Sequence, residues 1–233
     1  MDRITRKSLK QDRFATEVTE SVEYLAEHRR QAILYGGIAV VVLALGFGIY
    51  FYRQYHNRLI HDALARALET YRALVSDQDV PGRITFRTEQ EKDAQALHQF
   101  EAVDRDYHRS PEAQIARYYI GVVYYDMGRT ADAEKQLERV ANEGQGAIPS
   151  LAKFTLAEVY LAEGKDEEAR KIYEFLLKNP TELVPETRVQ LAMARYLRNK
   201  NPQEARNILL QLVKNQGAVS GAAANMLRDL GAQ

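Results

Sequence analysis

The sequence contains no cysteine and no tryptophan, and only 6 of its 233 residues are proline. Without cysteine there can be no disulfide framework, no thiolate nucleophile and no cysteine-ligated zinc or iron–sulfur site. A surplus of one charge is missing too, since 32 Lys and Arg stand against 32 Asp and Glu. General nucleic-acid binders carry a basic surplus, so nucleic acid is not an expected partner. The histidines are His28, His56, His61, His98 and His108, and none forms an HExxH pair. No GxGxxG, no Walker-type phosphate loop and no GxSxG occurs. The mixed-charge run Lys165 to Lys171 reads as a solvated helix face with local i,i+4 pairing. The expectation is a non-enzymatic chain with no cofactor, no metal and no small-molecule substrate.

The mean hydropathy of −0.44 suits a soluble protein. That average conceals Ile33 to Tyr52, twenty residues without a charge. As a helix rising 1.5 Å per residue, such a run covers roughly 30 Å, the hydrocarbon thickness of a bilayer. Tyr35 stands at one end and Tyr50, Phe51 and Tyr52 at the other, like interfacial aromatic belts. A buried core helix is the competing reading, but the run has no polar face. A cleaved signal peptide competes poorly, because 32 residues precede the run. Residues 33–52 are therefore expected to be an uncleaved anchor in a lipid bilayer. Lys and Arg flank the run almost equally, three in residues 13–32 and four in residues 53–72. The N-terminal 32 residues carry seven Lys and Arg in all, which favours retaining that tail inside. Within the tail, Phe14, Val18, Val22 and Leu25 share one helical face, giving an amphipathic cytoplasmic segment over residues 1–32.

Beyond residue 111 the chain repeats itself. Tyr124, Tyr160 and Tyr196 are 36 residues apart, and so are Ala133, Ala169 and Ala205. Leu137, Tyr173 and Leu209 keep the same step, as do Gly128 and Gly164, with Lys200 in the third glycine position. Each copy reads as helix A, a short turn and helix B, and residues 112–216 hold three copies. Pro149, Pro180 and Pro185 separate the copies, and Pro202 suits the first turn of its helix. Residues 53–111 read as a helical linker with a degenerate first copy. Its helix A runs from about Tyr55 to Val75, and its helix B carries Ala96, Phe100 and Val103. An insertion at 76–92 separates the two, with a turn at Pro81-Gly82 and a short extended stretch at Ile84 to Phe86. Residues 217–233 are expected to form a capping helix.

This pattern resembles the tetratricopeptide repeat, whose unit of about 34 residues places Gly, Tyr, Ala, an aromatic and Pro at set offsets. The resemblance covers residues 112–215; the leading tryptophan position holds Arg117, Lys153 and Val189 instead. With the transmembrane helix read from the apolar run, it implies an all-α fold: that one helix, then an α-solenoid of three to four helix pairs with a C-terminal cap. Carried over position by position, it also implies a concave groove on the A helices. Tyr118, Val122 and Tyr125 fall there in the first clear copy, Phe154, Glu158 and Leu161 in the second, and Gln190, Ala194 and Leu197 in the third. The set lacks the Lys, Arg and Asn of the carboxylate-clamp members. It suits a hydrophobic or amphipathic segment, with Tyr118 and Phe154 expected as anchors removable without unfolding. The chain's own C-terminal helix is the alternative occupant.

The layout of tail, anchor and repeat domain is similar to the YfgM-type ancillary subunit family of the bacterial Sec translocon. That resemblance implies a single-pass protein of the bacterial inner membrane with a periplasmic C-terminal domain. Its implied partners are translocon components, periplasmic chaperones or exported polypeptides. A scaffold of another envelope assembly, serving secretion, polysaccharide or division, is the alternative. A regulator docking a catalytic partner is the third reading.

Overall fold

The computed structural model describes residues 29–231. The amphipathic stripe expected at Phe14, Val18, Val22 and Leu25 lies outside the described residues. The chain divides into two units at Arg58 and Leu59.

The first unit is dominated by helix α1, Arg29–Tyr71, which continues into the second. An 18-residue window of α1 reaches a mean hydropathy of 2.2, and none of it is buried against protein. Val41, Leu43, Leu45, Phe47 and Ile49, which point in all directions around the axis, are exposed. The buried-core alternative therefore fails, and the helix is long and apolar enough to cross a membrane.

The second unit contains the remaining helices: α2, Glu89–Asp106; α3, Pro111–Asp126; α4, Thr130–Glu143; α5, Ile148–Ala162; α6, Asp166–Lys178; α7, Glu186–Leu197; α8, Pro202–Lys214; and α9, Ser220–Gly231. Among the described residues its only strands are β1, Leu74–Val75, and β2, Thr85–Phe86, which pair in parallel as Leu74 with Thr85 and Val75 with Phe86. Helix A of the degenerate copy thus ends at Tyr71, short of Val75. The insertion closes back on that end, and α2 starts within the segment read as insertion. Thr88 caps α2 by accepting a hydrogen bond from the Glu91 amide. Ser110 and Asn201 cap α3 and α8 in the same way, each followed by a proline in the first turn.

The periodic residues are the ones that disappear from solvent. Ala133, Ala169 and Ala205 are fully buried on successive B helices, and Leu137, Tyr173 and Leu209 stand four residues further along as a spine. Gly121 lets α4 come close, because an added Cβ would lie 2.7 Å from Leu137 Cγ. The degenerate copy packs likewise, with Leu64 and Ala67 of α1 against Ala96, Phe100 and Val103 of α2 and Ile120 of α3. Helix α9 closes the other end: Ala223 is buried with Leu209, Leu212 and Ala194, flanked by Met226, Leu227 and Leu230.

The turns explain the glycine positions and the exception. Gly128 and Gly164 have φ of 73° and 75°, the left-handed region that favours glycine. There the Arg129 and Lys165 amides reach back to the Tyr124 and Tyr160 carbonyls, at 2.8 Å in both cases. In the third copy Lys200 keeps a negative φ, and the Asn201 amide closes the turn on the Leu197 carbonyl at 2.7 Å. Gly128→Ala or Gly164→Ala is expected to cost about 1 kcal/mol, whereas Lys200→Ala should change stability by less than about 0.5 kcal/mol. Thermal unfolding of the three variants against wild type measures the contrast.

Those turns carry a second repeated device. A cation lies over the conserved-period tyrosine each time: Arg129 over Tyr124 at 4.4 Å, Lys165 over Tyr160 at 5.2 Å and Lys200 over Tyr196 at 4.6 Å. The tyrosine hydroxyls also tie neighbouring copies together. Tyr124 donates to Glu101 on the preceding B helix at 3.4 Å, and Tyr160 to Glu138 at 3.0 Å.

Candidate protein-interaction face

Helices α3, α5 and α7 are the A helices of the three clear copies, and two contacts link them. The Tyr118 hydroxyl lies 3.1 Å from Thr155 Oγ1, joining α3 to α5. The Arg188 guanidinium on α7 lies over the Phe154 ring at 4.6 Å, joining α5 to α7. The nine residues assigned to this face from the repeat positions therefore occur on adjacent helices, at unequal depths.

Three are corrected by their burial. Tyr118 is 8% exposed, Phe154 4% and Ala194 0%. Tyr118 and Phe154 belong to the central core, and Phe154 packs its ring 5.9 Å from that of Tyr173. Truncating either side chain is therefore expected to open a cavity in the core and cost stability, not only to weaken partner binding. Side chains of the next A helix, Thr155 and Arg188, cover what the repeat position alone leaves open. Ala194 is buried in the cluster that also holds Leu209 and Leu212 of α8 and Ala223 of α9, so it is not offered on the face.

The other six remain accessible in part. Val122, Tyr125 and Leu161 are half-buried and pack on the edge of the central core. Leu197 and Gln190 are also half-buried, and the Gln190 amide donates to Glu186 on its own helix at 2.6 Å. Glu158 is half-buried as well, one turn along α5 from Phe154 and three residues before Leu161. Burial raises its carboxyl above the usual carboxylate range, and the charges of Arg195 and Arg188 oppose that rise. The Tyr118 hydroxyl is pushed up by burial, against the hydrogen bond with Thr155.

The aromatic pairs noted in α3 have separate duties. Tyr119 stacks on Phe100 at 5.1 Å and meets Tyr71 edge-on at 5.4 Å, inside the degenerate copy. A cleft of about 610 Å³ opens elsewhere, between the α2–α3 turn and the α4–α5 loop. Its cations are largely neutralised internally, Arg117 by Asp104 at 2.6 Å and Arg139 by Glu143 at 3.1 Å. Among the described residues, no group of three His, Asp, Glu or Cys side chains converges as a metal site.

Sequence reasoning missed the cations over the turn tyrosines. Their signal was present, since Arg129 and Lys165 follow Tyr124 and Tyr160 by five residues and Lys200 follows Tyr196 by four. The shortened third spacing is the consequence of a turn without a left-handed glycine.

No curated protein and no solved structure matches the chain. Residues 31–179 match the tetratricopeptide repeat-like domain, a span that takes in the apolar helix, the degenerate copy and the first two clear copies. With well over half its length matched, and with helix pairs packed on a 36-residue period, the chain belongs to the tetratricopeptide repeat-like family.

Proposed function

We propose that this protein is a membrane-tethered interaction module whose A-helix face captures polypeptide segments on the periplasmic side of a bacterial inner membrane. Repeats of this family are interaction domains rather than catalytic ones. The observation that carries the reading is the family match over residues 31–179, which takes in a lipid-length helix together with the repeats. Tethering confines the face to one membrane surface and raises its effective concentration for partners there. Translocon components, periplasmic chaperones and newly exported polypeptides fit that placement. Val122, Tyr125, Glu158, Leu161, Gln190 and Leu197 are the residues offered to a partner.

Solubilisation in mild detergent followed by co-purification tests the partner class; absence of translocon subunits and chaperones would overturn it. Tyr125→Ala combined with Leu161→Ala tests the face. Both side chains are half-buried at the edge of the core, so the helicity seen by circular dichroism is expected to persist. Partner binding should fall about tenfold or more. Binding that survives in the folded variant would place recognition elsewhere.

A scaffold of another envelope assembly is the second reading. Gly36, Gly37, Gly46 and Gly48 favour it, because small residues in an apolar helix let a neighbouring helix pack closely. Replacing residues 33–52 with an unrelated apolar helix separates the two. Partners retained after the swap are held by the repeats, and partners lost were held by the anchor.

A further inference from the structure

Glu158 is out of place among the apolar residues of the A-helix face. On the same face stand Val122 and Tyr125 of α3 and Leu161 of α5, all packed against the central core. The carboxylate is half-buried, yet among the described residues no group donates a hydrogen bond to it and no cation lies at ion-pair distance. A carboxylate partly withdrawn from water and without a protein partner carries a desolvation cost, and an incoming cation offsets it. Its charge reaches the hydroxyls of Tyr118, Tyr125 and Tyr173, so the surroundings are aromatic as well as anionic. Aromatic faces and a carboxylate together favour an ammonium or guanidinium group.

The two nearest cations on α7 differ. Arg188 is engaged, stacked over Phe154 and donating from Nη1 to the Leu183 carbonyl at 3.0 Å. Arg195 is exposed and makes no hydrogen bond or ion pair among the described residues. Its charge acts on Glu158 without reaching it, which makes Arg195 a rival occupant rather than a standing partner.

We infer that Glu158 is a cation-recognition subsite, and that the segment bound on this face places one Lys or Arg between apolar residues. The inference rests on the A-helix face being the capture surface. Charge complementarity selects the occupant: Val122, Tyr125 and Leu161 take apolar side chains, and Glu158 takes the single positive charge.

The test starts from the full chain in phosphatidylcholine nanodiscs, against which a phage-displayed library of random dodecapeptides is selected after subtraction on empty discs. Enriched peptides are synthesised with their basic residue kept or replaced by norleucine. They are titrated against wild type, Glu158→Gln, Arg195→Ala and the Tyr125→Ala, Leu161→Ala pair. The expected peptides carry one Lys or Arg flanked by apolar residues. Norleucine should cost about tenfold in affinity on wild type and nothing on Glu158→Gln, since a hydrogen bond to a charged group is of that size. Arg195→Ala should tighten the basic peptides, because the rival cation is gone. Equal affinity of the two peptide forms on wild type would overturn the inference, as would a norleucine loss that persists in Glu158→Gln. Looser binding of the basic peptides to Arg195→Ala would also count against it. If binding is lost in the Tyr125, Leu161 pair but is indifferent to the basic residue, the capture face stands and the cation subsite falls. Binding untouched by that pair, or no enrichment at all, overturns both. Should Glu158→Gln fail to fold, salt decides on wild type alone: added salt must weaken the basic peptides more than the norleucine forms.

Discussion

Tyr173→Ala is expected to destabilise the repeat domain by about 3–5 kcal/mol, the usual cost of removing a buried aromatic ring. Tyr173 is only 2% exposed and sits in the middle of the spine formed with Leu137 and Leu209. Its ring meets Phe154 at 5.9 Å, so the cavity left behind opens between α5 and α6. Each copy of a repeat array is held by its neighbours, and a central defect weakens two interfaces at once. Domains of this size are stable by about 5–15 kcal/mol, so the variant should lose a large share of the total. Denaturant unfolding of the full chain in detergent, followed by circular dichroism, measures the loss as a lower midpoint. Tyr173→Phe is the control. The hydroxyl makes no hydrogen bond among the described residues, so its removal should change stability by less than about 1 kcal/mol. Equal losses from the two variants would show that the hydroxyl, not the ring's packing, holds this position.

The period was the legible part of the fold because burial selects residue size at fixed positions. Ala169 must be small where two helices touch, and Tyr173 must be large where they part. Such positions stay readable even in the degenerate copy, where Ala96, Phe100 and Val103 are all buried. Depth on the A-helix face was not legible. Tyr118 and Phe154 occupy positions that face a groove in the repeat pattern. Whether they are open depends on the next helix, and here Thr155 and Arg188 close over them. Turn geometry was half legible. Gly128 and Gly164 announced left-handed turns, but nothing in the residue Lys200 declares that its turn closes through Asn201 instead. The insertion was too short for periodicity to speak, and the pairing of Leu74–Val75 with Thr85–Phe86 came only from the structure. Glu158 was placed on the face from its repeat position, whereas its lack of a partner is a property of the folded surroundings.

Val41→Asp together with Leu45→Asp is expected to move the protein from the membrane fraction to the soluble fraction. Ile33 to Phe51 contains eleven Leu, Ile, Val and Phe residues. At about 0.3–0.6 kcal/mol each near the bilayer centre, they favour insertion by roughly 3–7 kcal/mol in total. Glycine and tyrosine add little, so the margin is modest. Val41 and Leu45 lie near the middle of the run, one helical turn apart, where an aspartate costs about 2.5–3.5 kcal/mol. Two of them, with the loss of two apolar residues, reverse the sign. The repeat domain should fold regardless, because its core lies beyond Leu59 and no residue of the apolar window is buried in it. Fractionation and alkaline carbonate extraction report the distribution, and circular dichroism of the released protein reports the fold. Gln54→Asp, outside the apolar run, should leave the distribution unchanged. A wild-type chain already in the soluble fraction, or a double-aspartate chain that still resists extraction, would overturn the membrane anchor. The effective-concentration argument for partner capture would then fall with it.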